Sequence, residues 1–204
     1  MLNIPTKTRS NNRREQVLDA AARLFVEKGF DGTSTRDIAK ATGMLPGSLY
    51  YHFSSKEDLL VAVFEEGVQR ISDCVDTALA SAAQDPWARL QKASEAHLSM
   101  LLGGSNYAHV VVRILPTDVP GATQKLVALR NEYEARFIAL FDALPLDKNA
   151  DRSILRLMLI GAMNHAPVWY SKGRDTPEEL AQKFINTLRP AQSSNQRTFQ
   201  EDKV

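Results

Sequence analysis

The chain lacks the features that would place it outside a cell or in a membrane. It has one cysteine, Cys74, in 204 residues, which excludes an intramolecular disulfide framework and fits a reducing compartment. No apolar run approaches the ~18–20 residues of a transmembrane helix, and the first residues lack the hydrophobic core of a secretion signal. We therefore expect a cytoplasmic protein with no membrane partner.

Motifs for catalysis and for cofactors are also missing. The sequence contains no phosphate-binding loop, nucleophile elbow or metal-ligand spacing. Ser48, His52 and Asp58 suggest a catalytic triad, but Ser48 and His52 fall on one short predicted helix. The other three histidines lie on separate predicted helices without i, i+4 pairing. We expect no enzymatic activity, no cofactor and no metal site.

The net charge is only +1, but the charge is unevenly distributed. Residues 1–56 contain nine basic and five acidic residues, which leaves a net charge of −3 on the remainder. The first 14 residues contain four bases and no acid. A basic end on a near-neutral chain is typical of a module that binds nucleic acid, although a solvated tail that only improves solubility has the same composition.

Apolar residues recur at three- and four-residue spacing along most of the chain, and no segment alternates as a strand would. Caps and glycine or proline breaks divide the chain into about nine helices, which predicts an all-α fold. The first helix is expected over residues 13–28, capped by Asn11 or Asn12. The residues before it are expected to be disordered.

The segment from Thr33 to Leu60 carries the most specific pattern. Two short helices are expected over residues 35–41 and 46–53, and Gly43 supplies the tight turn between them. Pro46 suits the start of the second helix, where a missing N–H costs little. Two helices joined by such a turn predict a helix-turn-helix, whose second helix enters the DNA major groove.

Three blocks in register extend this pattern: TRDIAKATG from Thr35, GSLYYHF from Gly47 and SKEDLL from Ser55. They resemble the DNA-binding domain of TetR/AcrR transcriptional repressors, and the resemblance covers about the first 60 residues. It implies a homodimer that binds a palindromic double-stranded DNA operator. It also implies a DNA-binding domain over 1–55 and a ligand-binding and dimerisation domain over 56–190. Residues 191–204 have the composition of a disordered tail.

Nine residues are predicted to contact DNA. Small residues at the start of the second helix allow close approach to the bases, Arg36 suits guanine, and Lys56 would hold a phosphate at a helix N-terminus. By resemblance, Tyr50 and His52 match phosphate contacts and Tyr51 lies nearer the bases. The predicted set is Thr35, Arg36, Pro46, Gly47, Ser48, Tyr50, Tyr51, His52 and Lys56.

Leu45 departs from the family pattern. Many relatives have a serine at this position that caps the recognition helix, and a leucine cannot accept those N–H groups. Two interpretations stay open. Leu45 contacts a thymine methyl group, or the helix start is loose in the free protein and tightens on DNA.

The later helices are expected to form the dimer interface and a pocket for a small hydrophobic effector. An apolar stripe with Gly161 beside it is predicted to form the interface: Ile154, Leu155, Met158, Leu159, Ala162 and Ala166. Polar or aromatic residues set into apolar helices are predicted to contact the effector, although each also suits a satisfied core position. They are His97, His109, Arg113, Asn164 and Trp169.

The segment from Leu159 to Phe184 resembles the C-terminal part of TetR-type regulators of fatty-acid and steroid-ring degradation. The resemblance implies an acyl-CoA thioester as effector, with Arg113, Lys172 and Arg174 available for the CoA phosphates. A drug-like or aromatic effector is the alternative. A DNA-binding protein without an effector, and activation instead of repression, also stay open.

Overall fold

The computed structural model describes residues 9–189, with side chains from residue 12 onward. This part of the chain contains nine α-helices, one 3₁₀ turn at Pro116–Asp118 and no strand, which confirms the predicted all-α class. The helices are α1 (Arg9–Lys28), α2 (Thr35–Ala41), α3 (Pro46–His52), α4 (Lys56–Ala80), α5 (Pro86–Leu102), α6 (Asn106–Arg113), α7 (Thr123–Asp142), α8 (Arg152–Trp169) and α9 (Pro177–Leu188).

Local capping explains where most of these helices begin. In six of them, the side chain before the helix accepts a backbone N–H of the first turn, which satisfies one of the donors left open at a helix start. The capping residues are Ser34, Ser55, Asp85, Ser105, Asp151 and Thr176. Because these signals are local, they are readable in the sequence.

Helix α4 lies at the centre of the molecule. It packs against α1, α5, α6 and α7, while α5 also contacts α8 and α9. Its buried face includes Leu59, Leu60, Val63, Phe64 and Ile71. A single apolar core therefore runs from the helix-turn-helix into the larger helical region.

The predicted start of the first helix is wrong. The helix begins at Arg9, so Asn11 and Asn12 lie inside it instead of capping it. Asparagine costs only about 0.7 kcal/mol in a helix interior, so a cap-type residue does not enforce a helix start. The predicted tail, 191–204, and residues 1–8 lie outside the described residues.

Candidate DNA-binding surface and effector cleft

The helix-turn-helix is held by its own caps and by a small apolar interior. Ser34 and Asp37 form a reciprocal capping box on α2, with Ser34 Oγ 3.1 Å from Asp37 N and Asp37 Oδ2 3.0 Å from Ser34 N. The hydrogen bonds from Ser34 lower the pKa of Asp37. Ile38 on α2 and Leu49 on α3 are fully buried, and they share one apolar core with residues of α1. Helix α2 packs against both α1 and α3.

The turn between α2 and α3 needs a glycine. Gly43 has φ +65°, in the left-handed region where other residues are strained. Pro46 then opens α3 at its first position. Leu45 precedes it without a side-chain cap, so the first turn of α3 lacks the side-chain acceptor that α2 and α4 have.

The nine predicted DNA contacts lie on α2, on α3 and at the start of α4, and we call them the recognition surface. Six side chains are exposed, while Thr35, His52 and Lys56 are half-buried. Tyr51 is the most open, with 86% of its surface exposed. Most of the predicted residues therefore present an exposed side chain on α2 or α3.

Two contacts order the tyrosines of this surface. Tyr50 Oη lies 3.2 Å from Thr35 Oγ1, which ties α3 to α2. The Tyr51 ring meets the His52 ring edge-on, with centroids 5.3 Å apart. These contacts restrict the rotamers of both tyrosines in the free protein.

Lys56 makes an intramolecular contact that the sequence did not indicate. Its Nζ donates to the carbonyl oxygen of Phe30 at 2.9 Å and lies 4.1 Å from the Phe30 ring centroid. This contact ties the first residue of α4 to the segment between α1 and α2. Lys56 keeps two further N–H donors, so a phosphate contact stays a prediction.

A narrow cleft of about 50 Å³ lies between α4, α5, α6, α7 and α8, and we call it the central cleft. Half of its lining residues are apolar, and the polar ones come from α5, α7 and α8. The lining residues are Val68, Ile71, His97, Val111, Val112, Arg130, Tyr133, Glu134, Ile160 and Asn164. This arrangement can accept a hydrophobic group and hydrogen-bond one polar atom on it.

A chain of hydrogen bonds crosses one wall of the cleft. His97 Nδ1 lies 2.6 Å from Tyr133 Oη, and His97 Nε2 lies 3.0 Å from Asn164 Oδ1. Burial lowers the pKa of His97 from 6.5 to about 4, so the ring is neutral at pH 7. Since Asn164 Oδ1 only accepts, Nε2 carries the proton and Tyr133 donates to Nδ1. Burial also raises the pKa of Tyr133.

The charged side chains at the cleft already form hydrogen bonds or ion pairs with other groups of the protein. Arg130 donates to the carbonyl oxygens of Val111 at 2.9 Å and Ile114 at 3.2 Å, which caps the C-terminal end of α6. Arg156 pairs with Glu134 at 2.7 Å across α7 and α8. Burial lowers the pKa of Arg130.

Of the five predicted effector contacts, only His97 and Asn164 line the central cleft. His109 instead lies at the α5–α6 corner, where its Nε2–H donates to the Leu101 carbonyl oxygen at 2.9 Å. Arg113 is exposed in a groove beside the α1–α2 segment. Trp169 is half exposed and packs edge-on against Phe184 on α9.

The sequence prediction missed three polar residues of the cleft, all on α7: Arg130, Tyr133 and Glu134. One signal was available for Arg130 and Tyr133. They follow the buried Leu126 at helical spacing and precede the buried Phe137, so they interrupt an inward apolar stripe. Glu134 requires the partner Arg156 on α8, which only the tertiary structure reveals.

Helix α6 connects the cleft to α1, the helix that packs against α2. Tyr107 Oη donates to Asp19 Oδ1 on α1 at 2.7 Å, and Arg70 on α4 stacks 4.1 Å from the Tyr107 ring centroid. Burial and the bond to Asp19 raise the pKa of Tyr107. At Gly67 on α4, an added Cβ would lie 2.7 Å from the Tyr107 carbonyl oxygen, so α4 and α6 touch through their backbones.

The outward face of α8 is apolar. Ile154, Met158 and Val168 are more than half exposed, Leu157 is half exposed, and Gly161 between them has no neighbour within 4 Å of an added Cβ. The predicted interface stripe is therefore partly wrong, because two of its members pack into the chain's own core: Leu159 and Ala166. An α-helix has about 3.6 residues per turn, so residues spaced four apart do not lie directly above one another. A long i, i+4 stripe therefore rotates around the axis, and some of its members face inward.

Residues 9–189 contain neither a membrane-spanning helix nor a candidate metal cluster. No helix there has the length and apolar character needed to cross a membrane. No group of three or more His, Cys, Asp or Glu side chains in the same residues is placed to hold a metal ion.

Both parts of the chain match known regulatory proteins. Residues 17–63 match the family described as bacterial regulatory proteins, tetR family, and residues 83–190 match the tetracyclin repressor-like C-terminal domain. The second match covers more than half of the chain. The chain therefore belongs to the TetR family of bacterial regulators.

The relatives with sequence similarity match over only part of the chain. The transcriptional repressor KstR2 of Rhodococcus jostii (strain RHA1) is 54% identical over 50 residues, which is 24% of this chain and 24% of KstR2. The match thus spans about a quarter of that relative's length.

Solved structures share the whole architecture. AibR, crystallised with isovaleryl coenzyme A and operator DNA, matches with a TM-score of 0.77 at 24% identity over 87% of this chain and 98% of AibR. The superantigen PfiT matches with a TM-score of 0.73 at 30% identity over 88% of this chain and 97% of PfiT. Since these proteins differ in described activity, function has to be argued from the sites.

Proposed function

We propose that this protein is a homodimeric transcriptional repressor that binds a palindromic DNA operator and is released by a small hydrophobic effector. The observation that carries the proposal is the recognition surface: exposed polar and small side chains on α2 and α3, on a helix-turn-helix held by a buried interior. Helix α3 would enter the major groove, with its N-terminal residues at the base edges.

A dimer follows from the size of the module and from α8. One short recognition helix reads few base pairs, and a two-fold dimer reads two half-sites about 34–36 Å apart. The outward face of α8 supplies an apolar surface for a second copy, and Gly161 allows close approach. In this arrangement, α8 and α9 of two chains form a four-helix bundle.

The central cleft is the proposed effector site. Its volume of about 50 Å³ is far below the ~300–1,000 Å³ of ligand pockets, so the surrounding helices must separate when an effector binds. The amide nitrogen of Asn164 makes no hydrogen bond within the described residues and is available to a carbonyl oxygen. An acyl-CoA thioester supplies such a carbonyl beside an apolar chain, and AibR was crystallised with isovaleryl coenzyme A.

The basic residues predicted to hold the CoA phosphates do not form a cluster at the cleft. The three predicted phosphate partners do not converge on the cleft, because Arg113 lies in a groove beside α1 while Lys172 and Arg174 are exposed in the α8–α9 loop. A drug-like or aromatic effector, which carries no phosphates, is therefore the second candidate. If opening of the cleft frees the Arg130 guanidinium from the carbonyl oxygens of α6, that guanidinium is available to a CoA phosphate, which favours the thioester.

Coupling between the two sites would run through α4 and α6. Helix α4 is the covalent link and begins at Lys56, which contacts Phe30. Helix α6 lines the cleft through Val111 and Val112 and bonds α1 through Tyr107. Outward movement of α6 would therefore pull on α1 and change the spacing of the two recognition helices. The effect is limited by the effector's differential affinity for the two states.

The test is fluorescence anisotropy of labelled DNA from upstream of the protein's own gene. Binding should be tight and should weaken steeply with salt, because phosphate contacts release counterions. A panel of acyl-CoA thioesters, with free CoA as control, should then contain one that releases the DNA. A panel of aromatic and drug-like compounds tests the alternative. Saturation by a ligand without any change in DNA affinity would contradict the proposed coupling.

A further inference from the structure

Leu45 is an unusual residue for its position. It precedes α3 directly, where six other helices of the described chain have a capping side chain, and it forms no cap. It also contributes little to the core, since 77% of its surface is exposed. A polar side chain at such a position would stabilise the helix start by accepting a backbone N–H. The leucine therefore gives the free protein neither capping nor burial.

A single exposed leucine is common on protein surfaces and needs no explanation by itself. The neighbours make this one different. Pro46, Gly47 and Ser48 follow it and are small or short, so Leu45 is the largest apolar side chain at the N-terminal end of the recognition helix. This is the end of the helix that approaches the base edges in helix-turn-helix complexes.

The major groove offers one apolar group at the base edges, the C5-methyl group of thymine. We infer that Leu45 contacts a thymine methyl group in each half-site and thereby adds sequence specificity that the polar residues of α3 do not supply. The inference rests on the proposed DNA-binding function. It accounts for a side chain that gives up a cap, because burial against a methyl group is gained only in the complex.

Deoxyuridine in place of thymidine tests this contact, because it removes only the methyl group. An operator is first selected from randomised duplexes with the wild-type dimer, and each thymidine is then replaced singly. One replacement per half-site should weaken wild-type binding about three- to fivefold, as expected for one methyl group. For Leu45→Ala and Leu45→Ser, the thymidine and deoxyuridine operators should bind equally well.

The two variants separate methyl contact from capping, since serine restores a cap and alanine does not. Leu115→Ser is the matched control: Leu115 is 47% exposed but lies after α6, so its variant should keep the wild-type preference for thymidine. Circular dichroism should show unchanged helix content in all three variants.

Two results would overturn the inference. The first is that every deoxyuridine replacement weakens the wild type and Leu45→Ala equally. The second is that Leu45→Ser raises affinity for all duplexes alike, which would assign Leu45 to a loose helix start. Failure of the wild type to bind any duplex is a separate result, and it would refute the DNA-binding function itself.

Discussion

The recognition surface and the central cleft present polar groups in opposite ways. On the recognition surface, Ser48 and Tyr51 point their hydroxyl groups to solvent without a partner in the described chain. In the cleft, His97 bonds to both Tyr133 and Asn164, and no buried side-chain nitrogen or oxygen among the described residues lacks a partner. The recognition surface therefore has hydroxyl groups open to solvent, and the polar groups buried in the cleft are already hydrogen-bonded.

This difference separates the energetics of the two proposed ligands. DNA meets groups that already face it, so its binding requires little rearrangement. An effector must first open a cleft of about 50 Å³ and compete with internal hydrogen bonds, and its apparent affinity falls by the population of the open state. Changes in the cleft should therefore act on stability and effector response, and changes on α3 should act on DNA affinity.

The largest effect should come from acid. Because the pKa of His97 is about 4 in the fold and 6.5 ordinarily, the unfolded chain binds more protons between these values. The contribution of neutral His97 to the free energy of unfolding is complete above pH 6.5 and is lost as pH falls to 4. It amounts to up to about 3 kcal/mol, at about 1.36 kcal/mol per pKa unit. Urea unfolding at several pH values should show a flatter profile for His97→Asn.

One added methyl group should act differently in the two regions. Gly67→Ala places a Cβ 2.7 Å from a backbone oxygen of α6, which should cost about 2 kcal/mol of unfolding free energy. Gly47→Ala meets nothing within 4 Å and should leave stability within about 1 kcal/mol. The same Gly47 variant should weaken operator binding, because it thickens the face of α3 that approaches the bases. Thermal melts and anisotropy measure the two effects.

Substitutions of two tyrosines should show the same difference between stability and DNA affinity, with smaller effects. Tyr133→Phe removes the donor to His97 and should destabilise the fold by about 1 kcal/mol while DNA affinity stays constant. Tyr51→Ala should change stability by less than about 0.5 kcal/mol and lower operator affinity about tenfold. Equal effects of both variants on stability would contradict the division between the two regions.

Among these variants, the smallest effect on the protein without effector is expected at the contact between α6 and α1. Tyr107→Phe removes one hydrogen bond to Asp19 and should leave operator affinity within about twofold, while weakening release by effector. Tyr170→Phe removes a similar bond, to the Asp175 carbonyl oxygen, away from α1. It serves as the control and should keep the wild-type release.

The sequence was most informative where structure depends on local signals. The start and end of α2 were predicted correctly, and the start of α3 too, because Ser34, Gly43 and Pro46 act on their own turns. The family resemblance extended that prediction to the architecture of the whole chain, which the matches over 17–63 and 83–190 support.

The cleft was less accessible to prediction, because its members come from five helices. His97 and Asn164 were named as polar residues in apolar helices, but the same criterion also selected Trp169 and Arg113, which face outward. Composition on a helix does not reveal which face turns inward when neighbouring faces are both apolar. The bond between α5 and α8 through His97 became visible only in the folded chain.

The central claim is that an effector in the cleft controls DNA binding at the other end of α6. The most direct measurement is operator affinity of the wild type and Asn164→Leu across a titration of isovaleryl-CoA and longer acyl-CoA thioesters. The account predicts at least tenfold weaker DNA binding for the wild type at saturation and little change for Asn164→Leu, whose DNA affinity without ligand stays normal. Equal release from both proteins, or saturation of the wild type without release, would contradict it.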